Sequence, residues 1–171
     1  MIVLMAGLPG TGKTTLANAL ATRTGGRIIG KDEIRHSLFH ADEIEYSTRQ
    51  DDLCLQIMLR LAGFLLEKDR ERMIFLDGRT FSRGYQIENV ISAAEALHQP
   101  WRILECVCSE ETARQRLEHD AAAGVHRARN RTFALYLEMK AVFEAIVLAK
   151  TVLDTDQTLA ACVELAMAAL Q

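Results

Sequence analysis

Proline is nearly absent from this chain of 171 residues: only Pro9 and Pro100 occur. Nothing therefore marks a proline-rich linker, and no internal repeat or low-complexity segment divides the sequence. Cysteine is sparse as well. Cys54, Cys106, Cys108 and Cys162 have no C-x-x-C spacing, which argues against a zinc ribbon or a disulfide framework and for four reduced core residues. No apolar run approaches the roughly 20 residues that span a bilayer. The first apolar run is short, lacks a basic leader and feeds directly into a glycine-rich loop, unlike a signal peptide. Neither sign of charge dominates, and a net charge of −3 gives no whole-chain attraction to nucleic acid or to an anionic membrane. These absences point to one domain over residues 1–171, in the cytoplasm, with no membrane partner and an oligomeric state left open.

What is present is more specific. Gly7-Leu8-Pro9-Gly10-Thr11-Gly12-Lys13-Thr14 matches the G-x-x-x-x-G-K-[ST] phosphate loop in full. The apolar run Ile2-Val3-Leu4-Met5-Ala6 leads in as a buried strand, and Thr14 to Ala21 leads out as a helix. In that frame Gly7, Gly10 and Gly12 permit backbone angles closed to other residues. Successive amides from Gly7 to Thr15 then face one concavity at the positive end of the helix, a place for an anion. Lys13 reaches the β- and γ-phosphates of ATP, and the Thr14 hydroxyl suits Mg²⁺.

Along the chain, strands are expected at 2–6, 27–29, 73–77, 102–107 and 150–153. Between them run helices with apolar residues at 3.6-residue spacing. Helix 50–71 carries Leu53, Cys54, Ile57, Met58, Leu61, Phe64 and Leu65 on one stripe. Helix 84–97 carries Ile87, Val90, Ile91, Ala94 and Leu97, and helix 132–148 carries Phe133, Tyr136, Met139, Phe143 and Val147. A last helix, 156–170, begins at Asp156 as its N-cap. Strands alternating with helices imply an α/β fold with a five-stranded, mostly parallel sheet covered on both faces. Ligands in such a sheet sit beyond the carboxyl ends of the strands.

Those ends supply the candidates. Asp32 follows the second strand, where a carboxylate can accept the proton of a substrate hydroxyl facing the γ-phosphate. It also opens an apparent helix, Glu33 to Phe39, so a plain N-cap is the competing account. Arg35, one turn on, is either a clamp for substrate or phosphate or part of a solvated face. Asp77 ends the third strand as a Walker-B-like acid beside Mg²⁺ does, or simply opens a turn with Gly78. Arg79, Thr80 and Arg83 follow in a loop. His126-Arg127-Ala128-Arg129-Asn130-Arg131 has three arginines and no acid, after the small residues 121–124. It reads as a mobile basic lid over 119–131 that excludes water and stabilises phosphoryl charge, with Arg116 as a further contributor and Arg127 and Arg131 as its contacts.

With these residues assembled, the chain resembles the small P-loop kinases. The similarity is strongest to the branch containing polynucleotide 5′-hydroxyl kinases, zeta-toxin-like kinases and chloramphenicol phosphotransferase, and to the AAA_33-like ATP-binding kinases. It rests on GLPGTGKTT (7–15), KDEIRHSLF (31–39), FLDGRTFSR (75–83), the Arg116 region, YLEMKAVFEAI (136–146) and VLDTDQTL (152–159). The resemblance implies the P-loop NTPase fold in its nucleoside-monophosphate-kinase-like form, with an arginine lid. It also implies that Asp32 is the general base and that Arg35 contacts the reacting group. The chain departs from the branch at Asp120, where polynucleotide kinases place a lid arginine, and at Ala145-Ile146, where proline is common. The acceptor class stays open: a small-molecule alcohol first, a nucleic-acid 5′-hydroxyl end second. A nucleotide-dependent ATPase or switch with a protein partner is the third reading.

Overall fold

Ile2–Ala6 is buried at every residue, which is what the middle strand of a two-sided parallel sheet requires and why it reads as an unbroken apolar run. In the computed structural model, residues 1–123 and 132–171 are described, the side chains of residues 79, 80 and 123 excepted. The strands are β1 (Ile2–Ala6), β2 (Arg27–Gly30), β3 (Ile74–Asp77), β4 (Trp101–Val107) and β5 (Thr151–Asp154). They form one sheet in the order β2-β3-β1-β4-β5, every pair parallel. All five strands coincide with the expected ones to within a residue or so. The helices are α1 (Lys13–Thr24), α2 (Lys31–Leu38), α3 (Thr48–Lys68), α4 (Gly84–Ala96), α5 (Glu110–Ala123), α6 (Phe133–Val142) and α7 (Leu159–Ala169).

The period-two alternation of the strands sorts the core into two layers. Ile2, Leu4, Ile74, Leu76 and Ile103 face α3 and α4, meeting Leu55, Met58, Ala62, Leu66, Ile87 and Val90. Val3, Met5, Phe75, Leu104 and Cys106 face α1 and α7, meeting Leu16, Leu20, Cys162 and Ala166. A third, small cluster of Ala113, Leu117 and Tyr136 lies beside Leu8 of the phosphate loop. Cys54, Cys106 and Cys162 are buried free thiols, and Cys108 is half-buried. Burial pushes the Cys106 thiol up to about 12, so it stays protonated and unreactive.

Three expectations need correction. The buried stripe of α3 is Cys54, Leu55, Met58, Ala62 and Leu66, whereas Leu53, Leu61 and Phe64 are exposed. The helix has apolar residues on two faces, and only one meets the sheet. Helix 132–148 stops at Val142, because the next residues leave it for tertiary contacts. Phe143 and Ile146 turn into the core, Glu144 N–H donates to Ser82 O (3.1 Å), and the Glu144 carboxylate accepts from Gly84 N (2.6 Å) at the start of α4. Val147 is left 92% exposed. The last helix is capped by Thr158, whose hydroxyl accepts from Ala161 N (3.3 Å). Asp156 instead accepts from Ser109 N at 2.8 Å, before α5. No described helix is long and apolar enough to cross a membrane.

The two faces of α3 give a direct test. Met58→Ala is expected to cost about 2–5 kcal/mol as a cavity-forming core truncation, and Phe64→Ala no more than about 0.5 kcal/mol as a surface change. Urea unfolding followed by circular dichroism checks both; equal losses would contradict the assigned face.

Candidate active site

Gly7, Gly10 and Gly12 all have positive φ, at 126°, 78° and 79°. Gly7 has a second reason to be glycine: a Cβ there would lie 2.2 Å from the Cys106 carbonyl oxygen of β4. The loop is drawn tight around the Leu8 carbonyl, which accepts from Lys13 Nζ (2.6 Å) and from the Thr11 hydroxyl (2.7 Å). Lys13 is only 6% exposed. Helix α1 starts from Gly12 with no side-chain cap and no acid in its first turn. Its leading amides and the positive end of its dipole are thus left to an anion rather than to the protein itself.

Asp77 meets this loop from β3. The Thr14 hydroxyl donates to Asp77 Oδ2 at 2.6 Å. Asp77 Oδ1 is buried and accepts no hydrogen bond. A buried carboxylate oxygen with no partner is costly, and a hard cation or its water is the chemistry that satisfies it. The described residues hold no group of three or more His, Cys, Asp and Glu able to cage a metal. That donor set fits Mg²⁺, which keeps several waters and takes its remaining ligands from phosphate.

Asp32 lies within the first turn of α2, whose N-cap is Gly30 with no side-chain cap bond. Its carboxylate does not cap the helix. It accepts from Arg35 Nη1 at 2.7 Å, and its side chain keeps 31% exposure. Arg35 is not on a solvated face either: it is fully buried. Its Nη2 pairs with Asp51, and its guanidinium carbon sits 4.9 Å from the centre of the Tyr46 ring. Lys31 is also fully buried, with Nζ 2.8 Å from Asp51 Oδ1. Burial pulls the Lys31 ammonium below its ordinary pKa, and Asp51 opposes that shift.

Arg116 reaches the loop from the outside. Its Nη1 donates to Thr155 Oγ1 (2.9 Å) and more weakly to Gly10 O (3.3 Å), and its Nη2 to Thr155 O (2.7 Å). Thr155 Oγ1 in turn donates to Thr11 O at 3.1 Å. The guanidinium thus ties α5, the segment after β5 and the phosphate loop together. Arg127 and Arg131 lie outside the described residues, as does most of the expected lid; its first part, 119–123, is the end of α5.

Sequence reasoning did not single out Lys31, Asp51 or Thr155. Lys31 stands immediately before Asp32 at a strand–helix junction, which is a weak signal. Thr155 lies in the VLDTDQTL segment but is not distinguished within it, and Asp51 has no signal, because their meaning comes only from partners distant in the chain.

A family model described as an AAA domain matches residues 2–146. The chain belongs to that family. Its fold is that of the P-loop NTPases, and it is similar to solved structures of small P-loop kinases. A gluconokinase from Sinorhizobium meliloti 1021 aligns with a TM-score of 0.70 at 19% identity, over 99% of this chain and 90% of that one. The APS kinase CysC of Mycobacterium tuberculosis, in complex with AMPPNP and APS, aligns at 0.74 and 14% identity, over 99% and 96%. Kti12 of Chaetomium thermophilum, in complex with ADP-AlF3, aligns at 0.73 and 16% identity, over 99% and 97%. No curated protein matches the chain in sequence.

Gly7→Ala tests the loop geometry, since its Cβ would collide with a backbone oxygen at a strained φ. The variant is expected to lose most binding of a fluorescent ATP analogue. Wild-type affinity in a titration would show that the close approach is dispensable.

Proposed function

We propose that the chain is an ATP-dependent phosphotransferase that moves the γ-phosphoryl group to a hydroxyl of a small-molecule acceptor. The observation that carries this reading is the pairing at one sheet edge of a phosphate loop, tied to Asp77, with a half-exposed carboxylate, Asp32, on the neighbouring strand–helix junction. A module that only switches or hydrolyses ATP has no need of a carboxylate held there by a buried arginine. The likeness to a gluconokinase and to an APS kinase supports the same reading.

In this mechanism Lys13 and the loop amides between Gly7 and Thr15, Pro9 having none to give, bind the phosphates of ATP and hold them in line with the acceptor. Thr14 and Asp77 would hold Mg²⁺, which when bound neutralises charge on the phosphate oxygens. Asp32 accepts the acceptor's hydroxyl proton, and Arg35 orients that carboxylate. Arg116 keeps the loop in shape through Gly10 and Thr155. Arg127 and Arg131 are assigned to the developing phosphoryl charge on the sequence pattern alone. Four free cysteines suit a reducing compartment such as the cytoplasm.

Two variants separate the parts. Lys13→Ala is expected to lose about 10²–10³-fold in kcat/KM for ATP, the usual cost of one charge-stabilising donor. Asp32→Asn is expected to lose about 10²–10⁴-fold in kcat, the usual contribution of a general base, with ATP-analogue affinity unchanged. Acceptor-dependent ADP release measures both. Full activity in Asp32→Asn would remove the base from the mechanism.

A further inference from the structure

We propose that Lys31 and Asp51 are positioning residues: acting through Arg35, they fix the Asp32 carboxylate for proton transfer. The inference rests on the kinase reading above. Its basis is a line of alternating charge, Lys31–Asp51–Arg35–Asp32, that runs from the interior to the site. Side-chain exposure is 0% at Lys31 and Arg35, 15% at Asp51 and 31% at Asp32. Only the last member reaches solvent appreciably.

Four features make the line rigid. Asp51 Oδ1 takes both cations, Lys31 Nζ at 2.8 Å and Arg35 Nη2, so neither can swing without leaving the other's carboxylate. Arg35 is held from two sides, by Asp51 on Nη2 and by Asp32 on Nη1 at 2.7 Å. Tyr46, at a positive φ of 52°, lays its ring over the guanidinium. The stem of Lys31 is also wedged against Gly78, the residue just after β3. A Cβ on Gly78, at φ 144°, would come within 2.8 Å of Lys31 Cβ. The network is therefore seated on the residue that follows Asp77.

Stability alone does not account for it. Burying two cations costs several kcal/mol per ion, and buried ion pairs can often be replaced by apolar residues with no loss. The network also leaves Arg35 Nε buried without a hydrogen bond, a further cost. What the arrangement does secure is one orientation of Arg35, and with it of the Asp32 oxygen that Arg35 holds. The other Asp32 oxygen is the one to face a hydroxyl.

The test removes the far end of the line while keeping the charge balanced. Asp51→Asn alone leaves two buried cations against one carboxylate and is a poor probe, since it is prone to unfold. The double variant Lys31→Met/Asp51→Asn removes one charge of each sign and leaves the Arg35–Asp32 pair intact. The expected result is a folded protein with unchanged KM for ATP and kcat lower by on the order of 10²-fold, the cost of a small misplacement of a catalytic group. A folded double variant with wild-type kcat would overturn the proposal. A measurement on the unaltered chain does not depend on any variant folding. Arg35 held on two sides should show separate, slowly exchanging Nη1 and Nη2 proton resonances by NMR, and a single averaged resonance would overturn the proposal. Absence of phosphorylated product with every alcohol would instead defeat the kinase reading, whatever the Arg35 resonances show.

Discussion

The carboxyl end of β3 is the constraint on which the site depends. In the sheet register Asp77 lies opposite Met5 of β1 on one side and opposite Gly30 of β2 on the other. Two residues further along the chain from Met5 the phosphate loop begins at Gly7; one residue further from Gly30, Lys31 and Asp32 open α2. A single parallel register thus brings the nucleotide loop, the acid beside Thr14 and the candidate base to one edge. Slipping that register by one residue would turn Asp77 to the opposite face and break the Thr14 bond. The two-sided burial of β1 and β3 is what holds it.

Two ways of handling charge meet at this edge. On the nucleotide side the protein leaves its own groups unanswered: α1 has no cap and no acid in its first turn, and one Asp77 oxygen has no partner. These unmet groups favour a bound anion and its cation. On the side of Asp32 the charges are answered internally, carboxylate against ammonium and guanidinium, so that the network is fixed before anything binds. The first arrangement favours affinity and the second geometry, and the proposed phosphoryl transfer needs both.

Much of this was legible from the residues. The phosphate loop, the five strands and the positions of Asp32 and Asp77 follow from local pattern, because each is a short-range signal tied to backbone geometry. Helix ends were less legible where long-range bonds decide them. Glu144 leaves a helical pattern to cap α4, and Asp156 gives its carboxylate to Ser109, neither of which periodicity can report. The α3 face was misread because Leu53, Leu61 and Phe64 are apolar yet lie away from the sheet. Arg35 reads from the sequence as a clamp or as part of a solvated face, and arginine is rarely buried unless paired, so nothing local announces its full burial. Its partner Asp51 belongs to another helix, so only the fold reveals the pair.

The most direct test of the account is to follow the γ-phosphoryl group itself. Purified protein is incubated with γ-labelled ATP, Mg²⁺ and a mixed panel of alcohols: nucleosides, sugars, aminoglycosides, phenicols and a 5′-hydroxyl oligonucleotide. Products are identified by mass. The account expects label on the hydroxyl of one small-molecule class in step with ADP formation. Label recovered only as inorganic phosphate with every alcohol, or only on the oligonucleotide, would contradict it.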